Sequence, residues 1–112
     1  MIEINVTTPN DAVTLVEVSG RVDSMNAGEF GSGLNTQITN GQVQLVLDLS
    51  SVEYMSSAGL REIVTTLKNA KKASGDLRLA QPSERVREVL EMAGLDTIFK
   101  IYATQADAVE SY

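Results

Sequence analysis

A chain of 112 residues holds one compact domain and is long enough to bury a core without covalent staples. It contains no Cys and no His, which removes disulfides, thiolate metal sites and the commonest general base, and argues against an enzyme and against a metal or other cofactor. The formal net charge of −6 repels polyanions on average, so nucleic acid is not an expected partner.

The opening Met1-Ile2-Glu3-Ile4-Asn5 has neither the basic region nor the apolar core of a signal peptide. No stretch approaches the ~20 apolar residues that a membrane span needs. The expectations are a cytoplasmic protein with no membrane partner, and a monomer by default.

Ile2, Ile4 and Val6 alternate with Glu3 and Asn5, the period of a strand with one wet face. Pro9-Asn10-Asp11 signals a turn, and Val13 to Val18 reads as a second strand ended by Gly20, so the two form an antiparallel hairpin. Ser24 is placed to cap a helix over Met25 to Ile38, whose Phe30, Leu34 and Ile38 recur on one face. Gly28, Gly31 and Gly33 weaken that helix, and no strand stands in the right place before them for a phosphate-binding loop.

Asn40-Gly41 is a break. Val43, Leu45, Val46, Leu47 and Leu49 then form a strand buried on both faces, with Asp48 near its carboxyl end. The segment Ser50 to Gly59 follows, with Met55 expected near the surface and Ser56 and Ser57 just ahead of Gly59. Leu60, Ile63, Val64, Leu67 and Ala70 make the inner stripe of an amphipathic helix whose wet side carries Arg61, Glu62, Lys68, Asn69 and Lys72.

Leu77, Leu79 and Ala80 are a short strand. Ser83 caps a helix with Val86, Val89, Leu90 and Ala93 inward and Gly94 beyond its end. Ile98 to Tyr102 reads as an edge strand, and Thr104 with Asp107 opens a short terminal helix. The order β-β-α-β-α-β-α-β-α predicts an α/β domain with a mixed, mostly parallel sheet opened by an antiparallel hairpin.

In such sheets function gathers where strands end and helix N-termini point outward. Ser57 occupies such a place. A phosphate there would be favoured by the free N–H groups and the helix dipole, and Arg61, one turn on, could pair with it. It would put about −2 charge on a docking face without unfolding the domain. Residue chemistry alone reads Ser57 as a helix cap, Arg61 as a solvated charge and Asp23 as a turn residue.

The run Leu47-Asp48-Leu49-Ser50-Ser51-Val52-Glu53-Tyr54-Met55-Ser56-Ser57-Ala58-Gly59-Leu60 resembles the signature of the anti-sigma factor antagonists, the founding group of STAS domains. Gly20-Arg21-Val22-Asp23 upstream is similar to that family's motif after the second strand. Leu90 to Asp96 and Phe99 to Tyr102 are similar downstream, so the likeness spans 1–112 as a single STAS domain.

The resemblance implies a partner switch. An anti-sigma factor with serine kinase activity would be captured by the unphosphorylated chain, which frees a sigma factor, and would release it after phosphorylating Ser57. A serine phosphatase would reset the cycle. Asp23, Met55, Ser56, Ala58, Gly59 and Arg61 are the candidate partner-binding residues. Ser56 stands where the family often has Asp, which makes it a second candidate acceptor but more readily the cap. Ala58 replaces a usual Ser or Thr.

Two other readings stand beside this one. The chain could be a constitutive STAS scaffold without phosphorylation. Asp48 could be the phosphoacceptor of a receiver domain, but Thr7 to Asp11 supplies one acid where Mg²⁺ needs more, and Leu79-Ala80-Gln81-Pro82 lacks the Lys.

Overall fold

The computed structural model describes residues 2–112. Its elements are β1 (Ile2–Asn10), β2 (Val13–Val22), α1 (Ala27–Thr39), β3 (Gln44–Met55), α2 (Ser57–Lys72), β4 (Asp76–Ala80), α3 (Glu84–Met92), a 3₁₀ turn (Leu95–Thr97), β5 (Ile101–Tyr102) and α4 (Gln105–Glu110). The strands lie in sequence order, β1 antiparallel to β2 and every later pair parallel. This is the predicted α/β architecture.

The two faces of the sheet are covered differently. Val16, Val18, Leu45, Leu47, Leu49, Leu77 and Leu79 pack with Phe30, Leu34, Ile63, Leu67, Val86 and Leu90, so α1, α2 and α3 share one face. Val13, Leu15, Val46 and Ala80 pack with Ala108 of α4 on the other. Strand residues alternate between these two cores, which is why β3 reads as a continuous apolar run.

Both β2 and β3 are longer than their patterns predict. β2 passes Gly20, where φ is +104°, and continues to Val22, its pairing with β3 slipping by one residue twice, between Glu17 and Ser19 and between Gly20 and Arg21. Gly accepts that left-handed backbone without a Cβ clash. β3 runs on from Leu49 through the polar Ser50 to Met55, paired only with β2, because β4 ends opposite Asp48. Asp48 is therefore in mid-strand, not near the strand's end. The Val52 carbonyl, left without a β4 partner, accepts the Ser83 hydroxyl at 3.0 Å.

The start of α1 also differs. Ser24 does not cap it, and Met25 lies outside it. The Asp23 carboxylate accepts from the Met25 and Asn26 N–H groups at 2.9 and 3.1 Å and builds the turn that leads in. Two of its glycines lie at close contacts: a Cβ on Gly31 would displace the tip of the Glu62 side chain on α2, and one on Gly33 would lie 2.7 Å from Ile4 Cδ1.

The expected edge strand at 98–102 shrinks to Ile101–Tyr102. The N–H groups of Ile98 and Phe99 both bond back to the Leu95 carbonyl, closing a local turn started by left-handed Gly94. The caps at Ser83 and Thr104 form as read from the sequence, accepting from Val86 N and Asp107 N.

Candidate functional site

The paired ends of β2 and β3 project beyond β4 and carry the segment Met55-Ser56-Ser57 at their tip. Ser56 stays extended, and its N–H donates to the Val22 carbonyl at 2.8 Å. That bond sets the β2–α1 turn, with Asp23, beside the start of α2.

The two serines then take different jobs. Ser56 Oγ accepts from the Gly59 N–H at 3.2 Å, and its carbonyl accepts from Leu60, so Ser56 is the cap of α2. Ser57 is the first residue of the helix. It is exposed, and its hydroxyl has no hydrogen bond among the described residues. The first turn of α2 carries no acid, so its dipole and free N–H groups face outward without a counter-charge.

Two candidate contact residues are not on the surface. Met55 is 2% exposed, because the β2–β3 register, after its two slips, sets it opposite Val22 in the helix-side core with Val52. Gly59 is buried too. A Cβ there would overlap the Met55 sulfur and lie 2.7 Å from Val22 Cγ1, so the close approach it permits is to this chain's own core, not to a ligand. Ala58 is half-buried and Arg61 is exposed.

Asp23 is half-buried and spends one carboxylate oxygen on its turn. Asn26 locks the same turn, donating to the Arg21 carbonyl at 2.8 Å and accepting from the Asp23 N–H at 2.9 Å. Met25 stands at the tip, 94% exposed, and offers an adaptable apolar contact beside Ser57. Across the slipped strand pair the Arg21 guanidinium stacks over the Tyr54 ring at 4.7 Å. Sequence reasoning missed this stack, since only the parallel register brings those two residues together.

Asp48 is 5% exposed and does not present itself to a kinase or a phosphodonor. Burial would push its pKa up, but bonds from the Ser50 backbone N–H, from Gln105 and from Gln81 outweigh burial and hold it below the usual carboxylate value. It ties α4 and the β4–α3 connection to the sheet. A groove of ≈ 630 Å³ is lined by Asp48 itself together with Glu3, Asn5, Glu17, Ser19 and Ser50. The buried side-chain polar atoms among the described residues are all paired.

The fold is a mixed sheet in sequence order with a serine exposed at the tip of the helix after its central strand. The STAS domain family matches residues 3–108. BtrV of Bordetella bronchiseptica, assigned as an anti-sigma factor antagonist, is 32% identical over 102 residues, covering 91% of this chain and 88% of its own. The anti-sigma-B factor antagonist of Bacillus subtilis is 33% identical over 95 residues, covering 85% and 86%. The crystal structure of an anti-sigma factor antagonist from Mycobacterium paratuberculosis superposes with a TM-score of 0.89 at 29% identity, covering 99% of this chain and 93% of that one. The chain belongs to the STAS domain family, among the anti-sigma factor antagonists. These antagonists are non-enzymatic proteins. No helix among the described residues is long and apolar enough to cross a membrane.

Proposed function

We propose that the chain is a phosphorylation-controlled antagonist acting in the cytoplasm. Unphosphorylated, it binds an anti-sigma factor that carries a serine kinase activity, and a sigma factor is freed. The kinase then transfers the γ-phosphoryl group of ATP to Ser57 Oγ. The new P–O bond replaces the bond to ADP, and the hydroxyl proton passes to a base of the kinase. The phosphorylated chain lets its partner go, and a serine phosphatase restores it.

The observation that carries this reading is the division between the two hydroxyls: Ser56 is engaged as the cap, while Ser57 is exposed and unbonded. Ser57 is thus the acceptor, and Ser56 is not. A dianion on Ser57 would meet free N–H groups and Arg61, so the fold tolerates it. A partner seated over Asp23, Met25, Ala58 and Arg61 would meet that charge at close range.

The test uses the anti-sigma factor encoded in the same genome. Intact mass after incubation with it and ATP should rise by one phosphate, and Ser57→Ala should abolish the gain. Ser57→Asp should weaken binding at least tenfold without lowering the melting temperature. Tight binding with no phosphate gain would mean a constitutive scaffold instead. A gain lost only in Ser56→Ala would overturn the assignment of the acceptor.

A further inference from the structure

α2 is out of character with the rest of the chain. It carries Arg61, Lys68, Lys71 and Lys72 against a single acid, Glu62, a net +3. The whole chain is −6, so the other residues together carry −9. Glu62 is half-buried and turned toward Gly31 on α1, off the open side of the helix.

The cations lie together. At ~100° per residue, Ser57, Arg61, Thr65, Lys68, Lys71 and Lys72 fall within an arc of roughly 120°. All six are exposed. The line from Ser57 to Lys72 is about 22 Å long at ~1.5 Å per residue. The salt bridge among the described residues joins Arg78 to Asp76, so no cation of this ridge has an ion-pair partner among them.

Helix electrostatics explain only part of this. Lys71 and Lys72 stand in the last turn, where the helix dipole favours cations. Arg61 stands near the N-terminal end, where the dipole gives a cation nothing, and Lys68 lies between. A solvated helix face in an acidic chain needs no such segregation of sign.

We propose that the exposed face of α2 is a basic docking ridge for an acidic surface of the anti-sigma factor, with Ser57 at its leading end. This rests on the function proposed above and adds the chemistry of the partner's surface. Unmodified, the ridge steers a carboxylate-bearing partner onto the Ser57 tip. A phosphate at Ser57 adds about −2 charge at one end of four cations and draws in Arg61, so the same partner is repelled where it first touches. A protein surface fits better than a nucleic acid or a membrane. The ridge is a single helix wide, and the −9 of its surroundings would repel an extended polyanion.

The experiment measures association of the full chain with the anti-sigma factor by stopped flow, from low to high salt. Lys68→Glu/Lys72→Glu should lower the on-rate about tenfold or more at low salt, and the gap should close as salt screens it. The off-rate should change little. Lys68→Arg/Lys72→Arg should bind like the parent chain. Arg85→Glu/Arg87→Glu on α3 makes the same change in net charge at exposed residues off the ridge and should slow binding far less. Equal slowing by the α2 and α3 variants would overturn the ridge while leaving the Ser57 switch intact. No binding by the parent chain would overturn the function itself. If phosphatidylserine vesicles or duplex DNA bound the parent chain and released the α2 variant, the partner's chemistry would be wrong.

Discussion

Exchanging the two adjacent serines should separate stability from switching. Ser56→Ala removes the Oγ that accepts from Gly59 N–H, and because Gly59 is buried, water cannot easily replace it. An N-cap is worth ~0.5–2 kcal/mol, and the buried donor places this one near 1.5 kcal/mol. For a domain of this length that is a drop of roughly 6 °C in melting temperature. Ser57→Ala loses no hydrogen bond, and Ala is the better helix former, so stability should hold or rise by a few tenths of a kcal/mol. Ser57→Asp puts a carboxylate in a first turn that has none and should add ~0.3–1 kcal/mol at low salt, less as salt rises. Urea and thermal denaturation of the three variants check this. A loss at Ser57→Ala as large as at Ser56→Ala would refute the division of labour, and with it the claim that Ser57 is free to be modified.

Two further outcomes follow from the same geometry. Gly59→Ala should gain ~1 kcal/mol of helix propensity but lose ~1–3 kcal/mol to overpacking against Met55 and Val22, a net loss of about 1 kcal/mol in urea denaturation; net stabilisation would mean that Met55 moves aside freely. Asp48→Asn should lose ~1–3 kcal/mol near neutral pH, since its N–H₂ would replace one carboxylate oxygen and face either the Ser50 N–H or the amide donors of Gln81 and Gln105. The folded Asp48 pKa is depressed, so its contribution is full above the unfolded value near 3.8 and fades as pH falls below it. The two stability curves should therefore converge only under acid, and a constant gap across pH 2–7 would show that the carboxylate's charge is not what holds α4.

Much of the fold is legible along the chain because it rests on bonds between near neighbours. The caps at Ser83 and Thr104 and the left-handed Gly94 each act within four residues, and the apolar spacing of α2 and α3 reports which side meets the sheet. The same holds for the order of strands and helices and for the two hydroxyls ahead of Gly59.

What lay beyond the chain's own order came from neighbours far apart in it. Ser50 to Glu53 look like a loop because they are polar, yet they are strand because β2 is there to pair with them after β4 has stopped. Met55 looked like surface because it sits next to two serines, yet the β2–β3 register, after two slips, sets it opposite the buried Val22 and turns it inward. Sequence by itself determined that one of two serines would stand at a helix tip in an antagonist-like motif. The resemblance points to Ser57 as acceptor and Ser56 as cap; only the tertiary structure supplies the contact that separates the two hydroxyls, because the Ser56 N–H is held by Val22 across the sheet, which aims one hydroxyl at the helix and leaves the other to solvent.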